Sequence, residues 1–237
     1  MLVASCTYAG GGPDERAALA LRFERSLPVA GARDVPLDAT FDLYFSAPLA
    51  PEAEREGSVA LHSGLVHSSL RLRVDLLENR LRARPDVLLR PNLDYTLQVP
   101  AELPALDGSR LAQPLLLVFT TGSGRSRRTA AAPPPTASEL QPLWVARCVD
   151  GCHATTRPRA GLDLSSPASA LRDLRGVRSA QLGLQRVAPG DHARSYLLRK
   201  LLPGAPRLGL PMPPTGAPLE RDELRRIADW IDGGALP

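Results

Sequence analysis

The chain has 237 residues, 43% of them hydrophobic and 23% charged, with a formal net charge of +4 at pH 7. That length suits two modest domains, and the composition places the chain among globular proteins with cores of Leu, Val and Ala, since only 4% of residues are aromatic. Nucleic-acid binding is excluded as a leading function, because it wants a basic stripe with stacking aromatics and the nearest group, Arg125, Arg127 and Arg128, sits in a Pro/Ala/Ser stretch that reads as a solvated linker.

Residues 1–16 read as a tether. Leu2-Val3-Ala4-Ser5-Cys6 resembles the lipobox of bacterial lipoproteins, and Gly10-Gly11-Gly12-Pro13 follows as flexible chain. The resemblance implies lipidation of Cys6 and a membrane-anchored place in the cell envelope, facing the periplasm or the exterior. The charged and apolar regions of a signal peptide do not appear before the motif, so an upstream start and a chance match both stay open. No run reaches the ~20 apolar residues of a membrane-spanning helix.

Residues 17–122 alternate apolar and polar positions. The runs are Leu19/Leu21/Phe23, Phe41/Leu43/Phe45, Val59/Leu61, Leu70/Leu72/Val74, Tyr95/Leu97/Val99 and Leu115 to Phe119. Pro, Gly, Asp and Asn separate them. This pattern predicts an antiparallel β-sandwich. The segments Pro36-x-Asp38-Ala39-Thr40, Phe45-Ser46-Ala47-Pro48-Leu49, Tyr95-Thr96-Leu97-x-Val99 and Phe119-Thr120-Thr121-Gly122 resemble the S-layer-type bacterial Ig-like domain. The resemblance implies a spacer or stalk without catalysis. His62 and His67 flank a strand-to-strand loop without a carboxylate or Cys partner and read as exposed imidazoles. Asp34, Asp38 and Asp42 straddle a strand and lack the Gly-centred loop of a calcium site.

Residues 123–136 are a linker by composition, stiffened by Pro133-Pro134-Pro135. Over 137–237 the period changes to that of helices. Leu140, Leu143, Trp144 and Arg147 fit a first helix with Ser138 as N-cap, and Leu197, Leu198 and Leu201 fit a second. Leu219, Leu224, Ile227, Ala228 and Ile231 fit a third, with Glu220, Asp222 and Glu223 at its start and Gly233-Gly234 at its end.

The chemistry-bearing run is Cys148-Val149-Asp150-Gly151-Cys152-His153. Covalent haem attachment uses two thiols and an adjacent imidazole, ordinarily as C-x-x-C-H; here the spacing is one residue longer, with Gly151 free to absorb it. Met212, in Leu210-Pro211-Met212-Pro213-Pro214, supplies a thioether in a proline-framed loop. These motifs, with Val187-x-Pro189-Gly190-Asp191, Tyr196-Leu197-Leu198-Arg199-Lys200-Leu201 and Ile227-Ala228-Asp229-Trp230-Ile231, are similar to small bacterial c-type cytochrome domains. The likeness implies an all-α domain holding haem c, with Cys148 and Cys152 as attachments and His153 and Met212 as axial ligands. It implies single-electron transfer to redox partner proteins rather than an enzyme. Three rivals stand beside it: a non-redox surface or adhesion protein with a Cys148–Cys152 disulfide, zinc held by Cys148, Cys152, His153 and His192, and a peroxidase-like haem with an open distal side. His192 in place of Met212 on iron is weighed against an exposed turn residue, and the turn reading is favoured. Ser165, Ser166 and Ser195 have no partners for nucleophilic catalysis in the sequence.

Overall fold

The alternating runs of the first half close into two four-stranded antiparallel sheets. The computed structural model describes residues 20–127, 132–156, 158–214 and 217–237; the expected tether with Cys6, and Arg128, lie outside the described residues. In chain order the strands are β1 (Phe23–Leu27), β2 (Phe41–Phe45), β3 (Ala60–Ser63), β4 (Val66–Ser68), β5 (Leu70–Asp75), β6 (Arg80–Pro85), β7 (Asp94–Val99) and β8 (Leu115–Thr120). One sheet has the order β1-β2-β6-β5 and the other β4-β3-β7-β8. Period-2 geometry sends Leu43, Leu81, Ala83, Leu97 and Val99 inward, and each is fully buried. Phe119 joins the sheets, 4.7 Å from Phe41 across the core and stacked at 5.7 Å on Tyr95 beside it.

The expected strand at 19–23 is displaced. Leu21 makes a single parallel bridge to Leu111, and the strand proper begins at Phe23. Two short elements had no expectation: β4, three residues long, and β6, whose outward arginines and inward Ala83 weaken the alternation.

The second half contains α1 (Ala137–Trp144), α2 (Pro167–Leu174), α3 (Tyr196–Leu201) and α4 (Arg221–Asp232). A π-type turn over Val145–Val149 continues α1. The cap of α1 is Thr136 rather than Ser138: its hydroxyl accepts from Glu139 N–H while the Glu139 carboxylate accepts from Thr136 N–H. α2 was not expected, being only two turns started by Ser166 and Pro167. Trp144 and Trp230, both fully buried, meet edge to face at 6.4 Å between α1 and α4.

A separate all-α domain is not what forms. The helices are short, and loops and isolated bridges such as Arg175–Val187 and Arg178–Gln185 fill the space between them. The buried apolar residues of both halves also make one connected cluster. The physical reason is a polar seam that docks the helical unit on the β5–β6 turn. Arg225 reaches Asp75 at 3.1 Å and Glu78 at 3.0 Å, Arg221 reaches Glu78 at 2.7 Å, and Arg194 pairs with Glu54 and donates to Pro51 O.

His192 sits in this seam and corrects the expectation of an exposed turn residue: it is 4% exposed. Nδ1 lies 2.8 Å from the Asp232 carboxylate, and Nε2 accepts from the Leu76 N–H at 3.1 Å. That pattern needs the neutral ring with its proton on Nδ1. Burial opposes charge on the ring, but Asp232 and Asp75 outweigh it and hold the imidazole above its ordinary range. Proton uptake would exchange the Leu76 bond for the Asp75 carboxylate, 3.8 Å from Nε2.

Candidate functional site

A cleft of about 240 Å³ opens in the helical unit. α1 and its π-type turn supply Trp144, Arg147 and Cys148; the following loop supplies Cys152 and His153. Leu162, Leu164 and Leu174 form one apolar wall, Leu197 and Leu201 of α3 another, and Met212 with Pro213 and Pro214 the rim. The structure therefore brings Cys148, Cys152, His153 and Met212 to one cavity. His192 is not among its lining residues.

Each of these side chains has a local cause. The π-type turn leaves Cys148 half-buried at the end of α1, and Gly151, at φ 68°, turns the chain so that the His153 N–H reaches the carbonyls of Cys148 and Val149. His153 Nδ1 lies 3.1 Å from Leu162 O, which can only accept, so Nδ1 carries the proton. The Met212 loop is tied to α3 by Lys200. Its ammonium donates to Leu208 O and Leu210 O at 2.6 and 3.0 Å, and its carbonyl accepts from Met212 N–H. Opposite, Arg186 clamps the loop before α2 by donating to Gly161 O, Ala160 O and Asp173 O.

The electrostatics leave the thiol and imidazole uncharged near neutrality. Burial pushes the Cys148 thiol up to about 12. Burial likewise pushes His153 below its ordinary range, outweighing its backbone hydrogen bonds. The Cys148 thiol is thus held as the neutral S–H and the His153 ring as the neutral imidazole. Sequence reasoning missed two groups. The Trp144 indole N–H and Arg147 Nε are buried with no partner among the described residues. The Arg147 head meanwhile donates to Pro218 O at 2.7 Å and lies 3.5 Å from Glu223. A Trp at the inner face of a helix carries a donor that must be satisfied; that was the available signal.

His62 and His67 are likewise not lone loop residues. They face each other across β3 and β4, with ring centroids 5.7 Å apart.

Residues 17–121 match the family model of the bacterial Ig-like domain. The sandwich is an Ig-like domain. No curated protein matches the chain. Among solved structures, the N-terminal part of the bacterial S-layer protein SbsC is 14% identical at TM-score 0.34, over 45% of this chain and 24% of that one. L,D-transpeptidase 1 of Mycobacterium tuberculosis is 16% identical at 0.28, over 42% and 38%. CopC from Methylosinus trichosporium OB3b is 13% identical at 0.30, over 47% and 99%. The chain thus spans about a quarter to two fifths of the first two.

The haem c expected from the C-terminal motifs is withdrawn, together with the haem-dependent roles of Cys148, Cys152, His153 and Met212. The run has three residues between its cysteines where the attachment motif has two. Among the described residues no group of three or more His, Cys, Asp and Glu side chains is arranged to hold a metal ion, which also removes the four-ligand zinc rival. Cys148 and Cys152 stand as free thiols, without the disulfide of the surface-protein rival.

Proposed function

We propose that this is a cell-surface binding protein, in which the Ig-like domain is the support and the helical unit carries a pocket for an amphiphilic small molecule. The observation that carries the reading is the cleft itself, an apolar cavity lined by Trp144 and Arg147, whose buried Nε1 and Nε have no hydrogen-bond partner among the described residues. A buried donor without an acceptor costs about 1–3 kcal/mol, so a bound molecule with an acceptor or anionic end would recover that cost while its apolar body covers Leu164, Leu174 and Leu201. A surface location fits the Ig-like domain, and no helix among the described residues is long and apolar enough to cross a membrane. Single-electron transfer was tied to the haem; the pocket reading replaces it and differs from the surface or adhesion protein with a Cys148–Cys152 disulfide, whose thiols are free here.

The test uses 8-anilinonaphthalene-1-sulfonate, an apolar body with an anionic end. One equivalent is expected to bind with a fluorescence rise, and Ala180→Trp, an exposed substitution at the cleft mouth, is expected to weaken it at least tenfold with an unchanged melting temperature. Equal binding by Ala180→Trp would overturn the assignment to this cleft.

A further inference from the structure

His62 and His67 occupy the hairpin β3–β4, joined by the two-residue turn Gly64-Leu65. Ser63 pairs with Val66 next to the turn, and His62 pairs with His67 one step further. In a two-residue hairpin the closing pair shares the ladder hydrogen bonds, so the next pair is a non-hydrogen-bonded one, where side chains approach closest. Leu61 is buried in the core, so its neighbour His62 points to the solvent face. Among the described residues no hydrogen bond holds either ring. Both rings are anchored by pairing rather than by loop backbone, because β3 is itself paired to β7 through His62–Thr96.

We propose that this pair chelates a divalent transition-metal ion on the outer face of the Ig-like domain, separate from the cleft. An ion lies about 2.0–2.1 Å from a coordinating imidazole nitrogen, which puts each ring centroid about 3.2 Å from the metal. Two rings on one ion at angles of roughly 110–125° then have centroids about 5.2–5.7 Å apart. The observed separation is 5.7 Å. The rings therefore need little rearrangement beyond rotation to face one ion. Two imidazoles at such an angle suit a tetrahedral ion, Zn²⁺ or its paramagnetic stand-in Co²⁺. Among the described residues no third His, Cys, Asp or Glu completes the set, so water fills the remaining positions and binding is moderate.

The experiment is a calorimetric Co²⁺ titration of the full chain with its thiols alkylated, so that cysteine cannot compete. One ion is expected to bind, and His62→Gln and His67→Gln are each expected to lower the affinity tenfold or more, with unchanged melting temperatures in the absence of metal. In the alkylated parent, Co²⁺ is also expected to broaden the ring-proton resonances of both histidines together. Full affinity in the double variant would place the ion elsewhere. A loss of less than threefold in each single variant would show two independent imidazoles. Either result overturns the chelate.

Discussion

The two halves of the molecule are stabilised by different means. In the Ig-like domain the backbone pairs with itself, and the core is a period-2 stack in which Leu43, Leu81 and Leu97 face inward between sheets. The helical unit has too little regular structure for that. Arg186 and Lys200 donate to loop carbonyls, Thr136 and Ser166 cap short helices, and two tryptophans fill the centre. The first plan satisfies its backbone within the ladders. The second leaves a cleft lined by Trp144 and Arg147, whose Nε1 and Nε have no partner among the described residues.

The largest break comes at the centre of the helical unit. Trp230→Ala removes a fully buried ring that touches Trp144 and donates to Leu236 O, and is expected to cost about 3–5 kcal/mol. Because the apolar cluster is continuous, calorimetry should show one transition moved down as a whole. Two separated transitions would mean that the halves melt as independent units.

The seam comes next. Asp75→Asn removes the carboxylate shared by Arg80 and Arg225, and a cost of about 1–3 kcal/mol is expected once the partial exposure of Arg225 is discounted. Burial would raise the Asp75 carboxyl, but Arg225, His192 and Arg80 outweigh it and hold it below its ordinary value. Its stabilisation is thus complete above the unfolded value of about 3.9 and is lost as pH falls through the lower folded one. Acid denaturation of Asp75→Asn should show a shallower fall of stability below about pH 4 than the parent. An identical slope would remove Asp75 from the seam's energetics. Smaller still, Thr136→Ala deletes one arm of the α1 capping box and should cost about 1 kcal/mol in chemical denaturation.

The sequence made the two regions legible to different degrees. β2, β5, β7 and β8 stand where the alternation puts them, because inward Leu, Val and aromatic residues leave an unbroken period. β6 was hidden because Leu81, Ala83 and Pro85 are a faint apolar set among arginines. α4 was plain from its 3–4 stripe, while α2 is too short to show one. The grouping of Cys148, Cys152, His153 and Met212 around one cavity could be anticipated from ordered motifs, but their haem chemistry rested on resemblance and has been withdrawn. The burial of His192 depends on Asp232, forty residues on, and on Leu76, 116 residues back, and no local pattern encodes either contact. The His62–His67 pair was equally invisible until the register of β3 on β4 fixed which residues face each other.

The claim that the helical unit is a binding site for an acceptor-bearing molecule turns on Trp144. Trp144 is fully buried, lines the cleft and keeps an indole N–H with no partner among the described residues. Trp144→Phe removes that donor and keeps an aromatic wall, so the anionic probe 8-anilinonaphthalene-1-sulfonate and its uncharged relative N-phenyl-1-naphthylamine should separate in a paired titration. The loss of one hydrogen bond, about 1.4 kcal/mol, predicts roughly tenfold weaker binding of the sulfonate and no change for the uncharged probe. Equal effects on both probes would contradict a role for the indole donor in recognition.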